Sequence, residues 1–429
     1  MLTALCIVFV VAYAAIALEH PLKVNKSASA LIAAGLLWTI YAMSTGDHHL
    51  VEKQLGESLM GTAQIVFFLM GAMTIVEVVD AHNGFEVITS RIRTTSISTL
   101  LWLVGIVAFF LSSVLDNLTT TIVMISLMKK LLDRHDDRLF FAGIIVIAAN
   151  AGGAWTPIGD VTTTMLWIGG QITTLAIMKG VFLASIVNLV VPLAITSFAL
   201  RGKEVISPVK GNEEYSHRMR TTPFEQNLMF CMGLGTLVAV PAFKTITHLP
   251  PFMGILFGLG ILWLVGELIH RQKEDEAKEH LTLVRALKQI DMSSIVFFIG
   301  ILLAVATLEH THILTALAQW LDQSVGRLDV IVTIIGLLSA IIDNVPLVAA
   351  SMGMYDMAQH PTDSFLWEFL AYCAGTGGSI LIIGSAAGVA AMGLEKIHFF
   401  WYARRIGGLA LVGYLAGVAV YIVQSRLLH

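Results

Sequence analysis

Two carboxylate-amide pairs, Asp116-Asn117 and Asp343-Asn344, are the residues of this sequence best suited to chemistry. Each pair lies in the middle of a long apolar segment, where a charged side chain costs roughly 2.5–3.5 kcal/mol to insert into a bilayer. A carboxylate in a dry cavity is neutralised either by a proton or by a metal cation. The two pairs therefore predict a site at which a small cation and protons compete.

The elements that hold these pairs are predicted to be membrane helices. The chain has 429 residues, of which 56% are hydrophobic and 13% are charged, and its mean hydropathy is +0.79. A soluble protein carries about 25% charged residues. The apolar segments are as long as helical spans and lack the alternation of barrel strands. The composition predicts an all-α membrane protein that contacts lipid and binds no nucleic acid.

Hydropathy predicts about ten spans, two of which are interrupted. The first span lacks the positive n-region of a signal peptide, which is why it is interpreted as a span. Two further segments, 97–131 and 328–355, carry the Asp-Asn pairs near their middles. Each is either a re-entrant hairpin, which enters and leaves on one face, or two full crossings. The ten predicted spans are Leu2–Leu18, Ser27–Ser44, Thr62–Val79, Leu139–Trp167 (interrupted), Thr174–Leu200, Phe224–Val240, Phe252–Ile269, Met292–Leu308, Phe365–Leu394 (interrupted) and Phe399–Val423.

The distribution of Lys and Arg predicts the orientation of these spans. With the N-terminus outside, the inner face receives 21 of the 26 basic residues, as the positive-inside rule requires of cytoplasmic loops. Ten crossings return the C-terminus to the outer side, and residues 201–222 become a cytoplasmic linker. We expect a multi-pass protein of a bacterial-type inner (plasma) membrane.

The segments 1–200 and 223–429 are predicted to be two copies of one unit. Their shared motifs keep the same order and similar spacing, which chance similarity among apolar segments does not readily explain. Each copy has five predicted spans, an odd number, so the copies are predicted to be inverted in the membrane. The recurring motifs are Ile-Val-Phe-Phe at 65 and 295, Asp-Asn at 116 and 343, Gly-Gly at 152 and 377, and Ile-Gly at 158 and 383.

Glycine-rich segments at 150–160 and 375–385 interrupt the two broken spans. Irregular backbone is tolerated at membrane depth only where protein buries it or where it lines a polar cavity. An ordinary kink is the alternative, but a kink needs fewer glycines and no flanking acid. The first segment ends in Asp160, whose counterpart is Ser385, and the second offers the hydroxyls of Thr376, Ser379 and Ser385.

Each acid also has a purely structural interpretation. Asp is a strong N-cap, so Asp116 and Asp343 could serve only to start the returning half-helix, and Asp160 could cap the second half of its broken span. Glu77 and Asp80 lie on one helix face near the inner end of the third span, and are interpreted as interfacial charges.

At these residues the chain resembles the NhaD family of sodium/proton antiporters, within the ion transporter superfamily. The resemblance runs from Glu19-His-Pro-Leu-Lys-Val-Asn-Lys26 through the second broken span. Its specific part is the acid-Asn tip, where dicarboxylate carriers have a Ser-Asn-Thr type of tip. It implies a homodimer in which hairpins and broken helices move against a fixed scaffold. The side chains that it implies for cation and proton binding are Asp116, Asn117, Thr119, Asn150, Thr156, Asp160, Asp343, Asn344, Thr376 and Ser379.

We therefore expect exchange of cytoplasmic Na⁺, and also Li⁺, for external protons by alternating access, with a role in pH homeostasis. Na⁺ prefers hard oxygen ligands, and Asp116, Asp160 and Asp343 are the predicted metal-binding, exchanging acids. Pro346 stands where the first tip has Thr119, so that hydroxyl has no counterpart in the second half. No cofactor is expected besides the transported ions.

Four other functions compete with this expectation. An anion carrier for dicarboxylate, citrate or arsenite would place Arg or Lys at depth, and no basic residue lies in the interrupted spans or at the hairpin tips. An intramembrane hydrolase would need a histidine partner in those segments, and the sequence has none there. A channel or a non-transporting receptor would not need a broken, inverted repeat, which favours alternating access. The segment Glu309–His312 looks like a metal pattern but falls at the outer mouth, and we interpret it as a loop, with His310 and His312 as candidates for a pH sensor.

Overall fold

The computed structural model describes residues 1–89, 94–200, 221–273, 278 and 280–428 of the chain. All the regular secondary structure assigned in these residues is helical, which confirms the predicted all-α membrane fold. The predicted linker, 201–222, lies outside the described residues apart from its last two positions. Seven of the described helices are long and apolar enough to cross a bilayer: Lys26–Thr45, His48–Ala81, Thr174–Phe198, Pro223–Thr247, Pro251–Ile269, Met292–His310 and Phe399–Leu427.

A short helix and two broken helices occupy the other three predicted spans. The short helix is Leu2–Ala17. The first broken helix consists of His135–Gly153 and Val161–Ile168, and the second consists of Phe365–Gly377 and Ala386–Glu395. In both, the irregular segment lies within the predicted one but is shorter: it covers residues 154–160 of the predicted 150–160, and residues 378–385 of the predicted 375–385.

Two helical hairpins carry the Asp-Asn pairs. The first hairpin is Ile97–Ser112 followed by Asn117–Leu131, and the second is Leu328–Leu338 followed by Asn344–Met354. An 11-residue helix of the second hairpin is about 16 Å long, roughly half of the bilayer core. Because such a helix is too short to cross, its length favours a re-entrant hairpin over two full crossings.

Each hairpin packs against the broken helix of its own half. Ile97–Ser112 lies along His135–Gly153, and Leu328–Leu338 lies along Phe365–Gly377. Outside these units, Lys26–Thr45 packs closely along Met292–His310. The remaining described helices are short: Glu19–Leu22, Glu86–Thr89, His270–Gln272, Leu283–Gln289 and Ile313–Val325.

Glycine permits the same close contact between hairpin and broken helix in both halves. Gly152 abuts the backbone carbonyl of Phe109, and its counterpart Gly377 abuts the backbone carbonyl of Gly336. A Cβ atom at either position would overlap that carbonyl, so only glycine allows the two backbones to approach this closely.

Serine hydroxyls join the same pairs of helices. Ser112 donates a hydrogen bond to the carbonyl of Ala149 at 2.6 Å, and Ser339 donates one to the carbonyl of Ala374 at 2.8 Å. Equivalent contacts at equivalent positions support the predicted duplication. The inverted orientation of the two copies stays a prediction.

Several predicted boundaries differ from the bounds of the helices. The span predicted at 62–79 belongs to the longer helix His48–Ala81, because Asp47 caps its start by accepting a hydrogen bond from the Leu50 amide at 3.0 Å. Polar outer turns are compatible with a helix that continues beyond the bilayer. The first broken helix continues to Gly153, so Asn150 is helical and does not belong to the break.

The loop predicted at Glu309–His312 is also helical over its first half. Glu309 and His310 are the last residues of Met292–His310, and His310 Nε2 lies 3.0 Å from the hydroxyl of Ser58. An amphipathic helix, Ile313–Val325, follows after one turn. Because one face of this helix is polar, a search for apolar spans did not identify it.

Candidate functional site

The tip of the first hairpin places Asp116 at the start of a helix. Its side chain caps that helix, since Oδ1 accepts a hydrogen bond from the Thr119 amide at 2.7 Å and Oδ2 accepts one from the Thr119 hydroxyl at 2.8 Å. The residue is half-buried. Asp116 therefore caps this helix, and a carboxylate with two acceptor oxygens retains lone pairs for a further partner.

Asn117, the next residue, joins the hairpin tip to the first broken helix. Its Nδ2 donates to Asn150 Oδ1 at 2.9 Å and to Asp160 Oδ2 at 2.6 Å. All three side chains are buried, and Asp160 is only 2% exposed. One amide group thus holds two oxygen atoms, one on each side of the break, next to each other.

Asp160 is the acid at the centre of this arrangement. It caps Val161–Ile168, because Oδ1 accepts hydrogen bonds from the amide and the hydroxyl of Thr162 at 2.9 and 2.8 Å. No basic side chain of the described residues forms an ion pair with it. Its charge interacts with those of Asp116 and Asp343. A carboxylate in this position needs a proton or a cation to neutralise it.

Asn150 also connects the two broken helices. Its Nδ2 donates to the hydroxyl of Ser385 at 3.0 Å. That hydroxyl in turn caps Ala386–Glu395 by accepting a hydrogen bond from the Gly388 amide at 3.3 Å. The breaks of the two halves therefore meet at Asn150, as expected for a site at the interface of two repeats.

The hydroxyls of the first half have different partners. Thr156 donates to the carbonyl of Ser113 at 2.6 Å and so ties the break to the hairpin tip. The buried hydroxyls of Thr120 and Thr121, just after the tip, have no hydrogen-bond partner among the described residues. These two are further oxygen donors close in sequence to the acid.

The tip of the second hairpin is built differently, because Asp343 has a basic partner. Its Oδ2 accepts a hydrogen bond from Lys26 Nζ at 2.7 Å, while Oδ1 accepts one from the Val345 amide at 3.3 Å. The ammonium group also lies 4.4 Å from the ring centroid of Phe297. The sequence places no basic residue at either tip, but the fold brings one from the start of Lys26–Thr45.

The remaining predicted residues of the second half do not form a counterpart of the Asn117 cluster. Asn344 is buried, and its Nδ2 has no hydrogen-bond partner among the described residues. Thr376 donates to the carbonyl of Tyr372 at 2.6 Å, and Ser379 donates to the carbonyl of Thr376 at 2.5 Å. Both hydroxyls therefore bond to their own chain segment.

A small cavity of about 30 Å³ adjoins the Lys26–Asp343 pair. Glu19, Tyr13 and Pro346 line it together with the pair. Glu19 and Lys26 belong to the segment 19–26, which the distribution of Lys and Arg predicts on the inner face.

Sequence reasoning missed two residues of this region. Thr162 had a partial local signal, since Asp160 is a typical N-cap, whose side chain bonds to the first helical turn. Ser385 was noted both as the counterpart of Asp160 and as a hydroxyl of the second break. Lys26 had no local signal, because its partner is 317 residues away.

Comparison with known proteins adds independent information. Residues 13–375 match the model of a family described as citrate transporter. The chain is 50% identical over 427 residues to sodium/proton antiporter 1 of Arabidopsis thaliana, covering 99% of this chain and 73% of that protein. It is 46% identical to sodium/proton antiporter 2 of the same plant, covering 97% of this chain and 98% of the relative. It is 28% identical to the Na(+)/H(+) antiporter NhaD of Vibrio cholerae, covering 98% and 91%.

Proposed function

Because the chain belongs to the citrate transporter family and to the NhaD-type sodium/proton antiporters, we propose that it exchanges Na⁺ for protons across a membrane. The exchange site would be the cluster of Asp160, Asn150 and Asn117, with Asp116 beside it. The observation that carries this proposal is a buried carboxylate, Asp160, that is surrounded by oxygen and amide groups and has no basic partner among the described residues.

Exchange follows from the chemistry of that carboxylate. Its charge is expensive in a dry site, so Asp160 holds either a proton or a cation when the site changes its exposure. Na⁺ binds hard oxygen ligands, which Asp160 Oδ2 and Asn150 Oδ1 provide side by side. A conformational change that is permitted only for an occupied site then couples the two fluxes.

The finer features of this function are part of the proposal. Li⁺ is a smaller cation that also prefers oxygen, so it should be accepted. Cytoplasmic Na⁺ would leave as external protons enter, with both termini on the outer side of a plasma membrane. Two copies of the chain would form a homodimer, in which the hairpins and broken helices move against the remaining helices. The activity would serve pH homeostasis.

Asp343 has a weaker claim than Asp116 and Asp160 to an exchanging role, although all three were predicted to have one. Its carboxylate is already neutralised by Lys26 at 2.7 Å. The same pair bears on the competing function, transport of an anion such as citrate, which the description of the family raises. A lysine that is paired with an acid has no free charge for an anion, and the acids of the first half would repel one.

The proposal is tested in everted membrane vesicles from a host without its own sodium/proton antiporters. Respiration acidifies the vesicle interior, and a fluorescent amine reports the pH difference. Chloride salts of Na⁺, Li⁺ and K⁺ are compared with citrate and succinate salts of choline. We expect alkalinisation with Na⁺ and Li⁺, whereas a response that follows the anion would establish the competing function instead.

Variants assign the activity to the site. Asp116→Asn should abolish the Na⁺ response while leaving the amount of protein in the membrane unchanged. The matched control is Asp133→Asn, the same substitution at an exposed position. Full exchange by Asp116→Asn would remove Asp116 from the mechanism.

A further inference from the structure

The two Asp-Asn tips are equivalent in the repeat but differ in what neutralises them. At the first tip and break the acids are Asp116 and Asp160, and no basic side chain among the described residues pairs with Asp160. The formal charge of these two carboxylates is −2. At the second tip and break the acid is Asp343, Ser385 stands in place of Asp160, and Lys26 contacts the acid. The formal charge of Asp343 and Lys26 together is 0.

Lys26 occupies the position that a bound cation would take at Asp343. Its ammonium lies 2.7 Å from Asp343 Oδ2 and packs against the face of the Phe297 ring. The side chains of Lys26 and Asp343 are 21% and 14% exposed, so water competes little with the pair. A charge-assisted hydrogen bond in such surroundings is stronger than a surface ion pair.

The lysine comes from outside the hairpins and broken helices. It begins the helix Lys26–Thr45, which packs along Met292–His310. Its backbone amide donates to Glu19 Oε1 at 3.1 Å, which fixes the start of that helix. The charges of Glu19 and Asp291 also act on the ammonium, so the lysine has no need of a diffusible counter-ion.

We propose that Lys26 is a tethered cation that permanently occupies the cation position at the second Asp-Asn tip (the second site), so that only the site at the first tip and break exchanges ions. The lysine would thereby set the number of transported cations per cycle. The exchange part of this inference rests on the proposed function, whereas occupation of the second site by Lys26 does not.

Removal of the tethered charge provides the test. In Lys26→Gln the Asp343 carboxylate loses its partner, and added Na⁺ should take the empty place. The purified protein in detergent is melted in NaCl and in choline chloride of equal ionic strength. We expect the Na⁺-induced rise in Tm to exceed that of the wild type by about 2 °C or more, and we expect the double variant Lys26→Gln/Asp343→Asn to lose this excess.

Exchange measurements complete the test. Asp343→Asn leaves the Lys26 charge unpaired at every Na⁺ concentration and should lose exchange by about tenfold or more, whereas Lys26→Gln should show this loss only at Na⁺ concentrations too low to fill the empty place. The double variant has no charge at this position and should recover most of the activity, and Lys26→Arg should retain it. The control is Lys53→Gln, which removes a lysine that is 67% exposed. If Lys26→Gln does not accumulate, the double variant provides the test: the inference predicts that it accumulates and exchanges Na⁺.

Two results would overturn the inference. One is a Lys26→Gln protein whose Na⁺-induced rise in Tm equals that of the wild type. The other is a double variant that accumulates normally but is as inactive as Asp343→Asn, since Asp343 would then be required as a ligand. If the wild type exchanges no Na⁺ while the predicted pattern of Tm shifts is found, the proposed function fails and the occupation of the second site by Lys26 stands.

Discussion

The hydroxyl of Thr162 should favour the ionised form of Asp160, and its removal should therefore favour the proton over Na⁺. The Thr162 hydroxyl donates to Asp160 Oδ1 at 2.8 Å. Thr162→Val removes this donor and keeps the shape of the side chain. The backbone amide of residue 162 still caps the carboxylate, so the helix should keep its start.

The magnitude follows from the charge of the acceptor. A hydrogen bond to an ionised carboxylate contributes about 1.5–3 kcal/mol, and a bond to a neutral carboxyl contributes about 0.5–1.5 kcal/mol. The difference, about 1–1.5 kcal/mol, corresponds to roughly a five- to tenfold change in the competition between the two ions. Intrinsic affinity for Na⁺ should change little, because the carboxylate is ionised both before and after Na⁺ binds.

The assay is the Na⁺ dependence of exchange in everted vesicles at several pH values. Where protons compete strongly, the apparent KM for Na⁺ of Thr162→Val should be about five- to tenfold above that of the wild type. The ratio should approach one as the pH is raised, because protons then compete less. Thr164→Val is the matched control, since this buried threonine donates to the carbonyl of Pro157 and not to the acid.

Two results would refute this reasoning. A KM ratio that is the same at every pH would indicate that Thr162 is an ordinary ligand of Na⁺. An unchanged KM would indicate that Asp160 does not mediate the competition.

Three further predictions concern stability, pH and orientation. Gly152→Ala should sharply reduce the amount of folded protein, because the added Cβ would overlap a backbone carbonyl. Gly235→Ala is the control and should accumulate normally, because that position has open space. Equal yields of the two variants would contradict this packing argument. Burial beside a second histidine lowers the pKa of His270 to about 4, and since an unfolded histidine titrates near pH 6.5, Tm should fall as the pH drops from about 7 to 5. His270→Gln should flatten that fall, and an equally steep fall in the variant would exclude His270 as its cause. With the native cysteines replaced by alanine, an impermeant maleimide should label Lys53→Cys but not Arg134→Cys from outside intact cells, and the reverse pattern would invert the orientation.

The sequence was most informative where local chemistry determines structure. The positions of both hairpins and both breaks were indicated by glycines, by the Asp-Asn pairs and by Pro346. This was possible because helix starts and stops depend on residues within one turn. Helix extensions outside the bilayer were harder to predict. The outer turns of His48–Ala81 and the helix Ile313–Val325 are polar enough to resemble loops in a search for apolar spans.

Contacts between distant segments could not be derived from the sequence. The bond from Asn117 to Asp160 spans 43 positions, and the pair of Lys26 with Asp343 spans 317. Both depend on how helices pack, which hydropathy does not encode. For this reason nothing in the sequence indicated that the two acid-Asn tips differ in charge, whereas among the described residues a lysine pairs with Asp343 and none pairs with Asp116.

Exchange by the purified protein in liposomes tests the central claim most directly. Liposomes are loaded with NaCl and diluted into choline chloride at equal pH, and an internal dye reports the lumenal pH. We predict that Na⁺ efflux acidifies the lumen with the wild type and leaves it unchanged with Asp160→Asn, which keeps the shape of the side chain without its charge. Equal acidification by the two proteins, or acidification that requires a citrate gradient, would contradict a buried carboxylate shared in turn by Na⁺ and a proton.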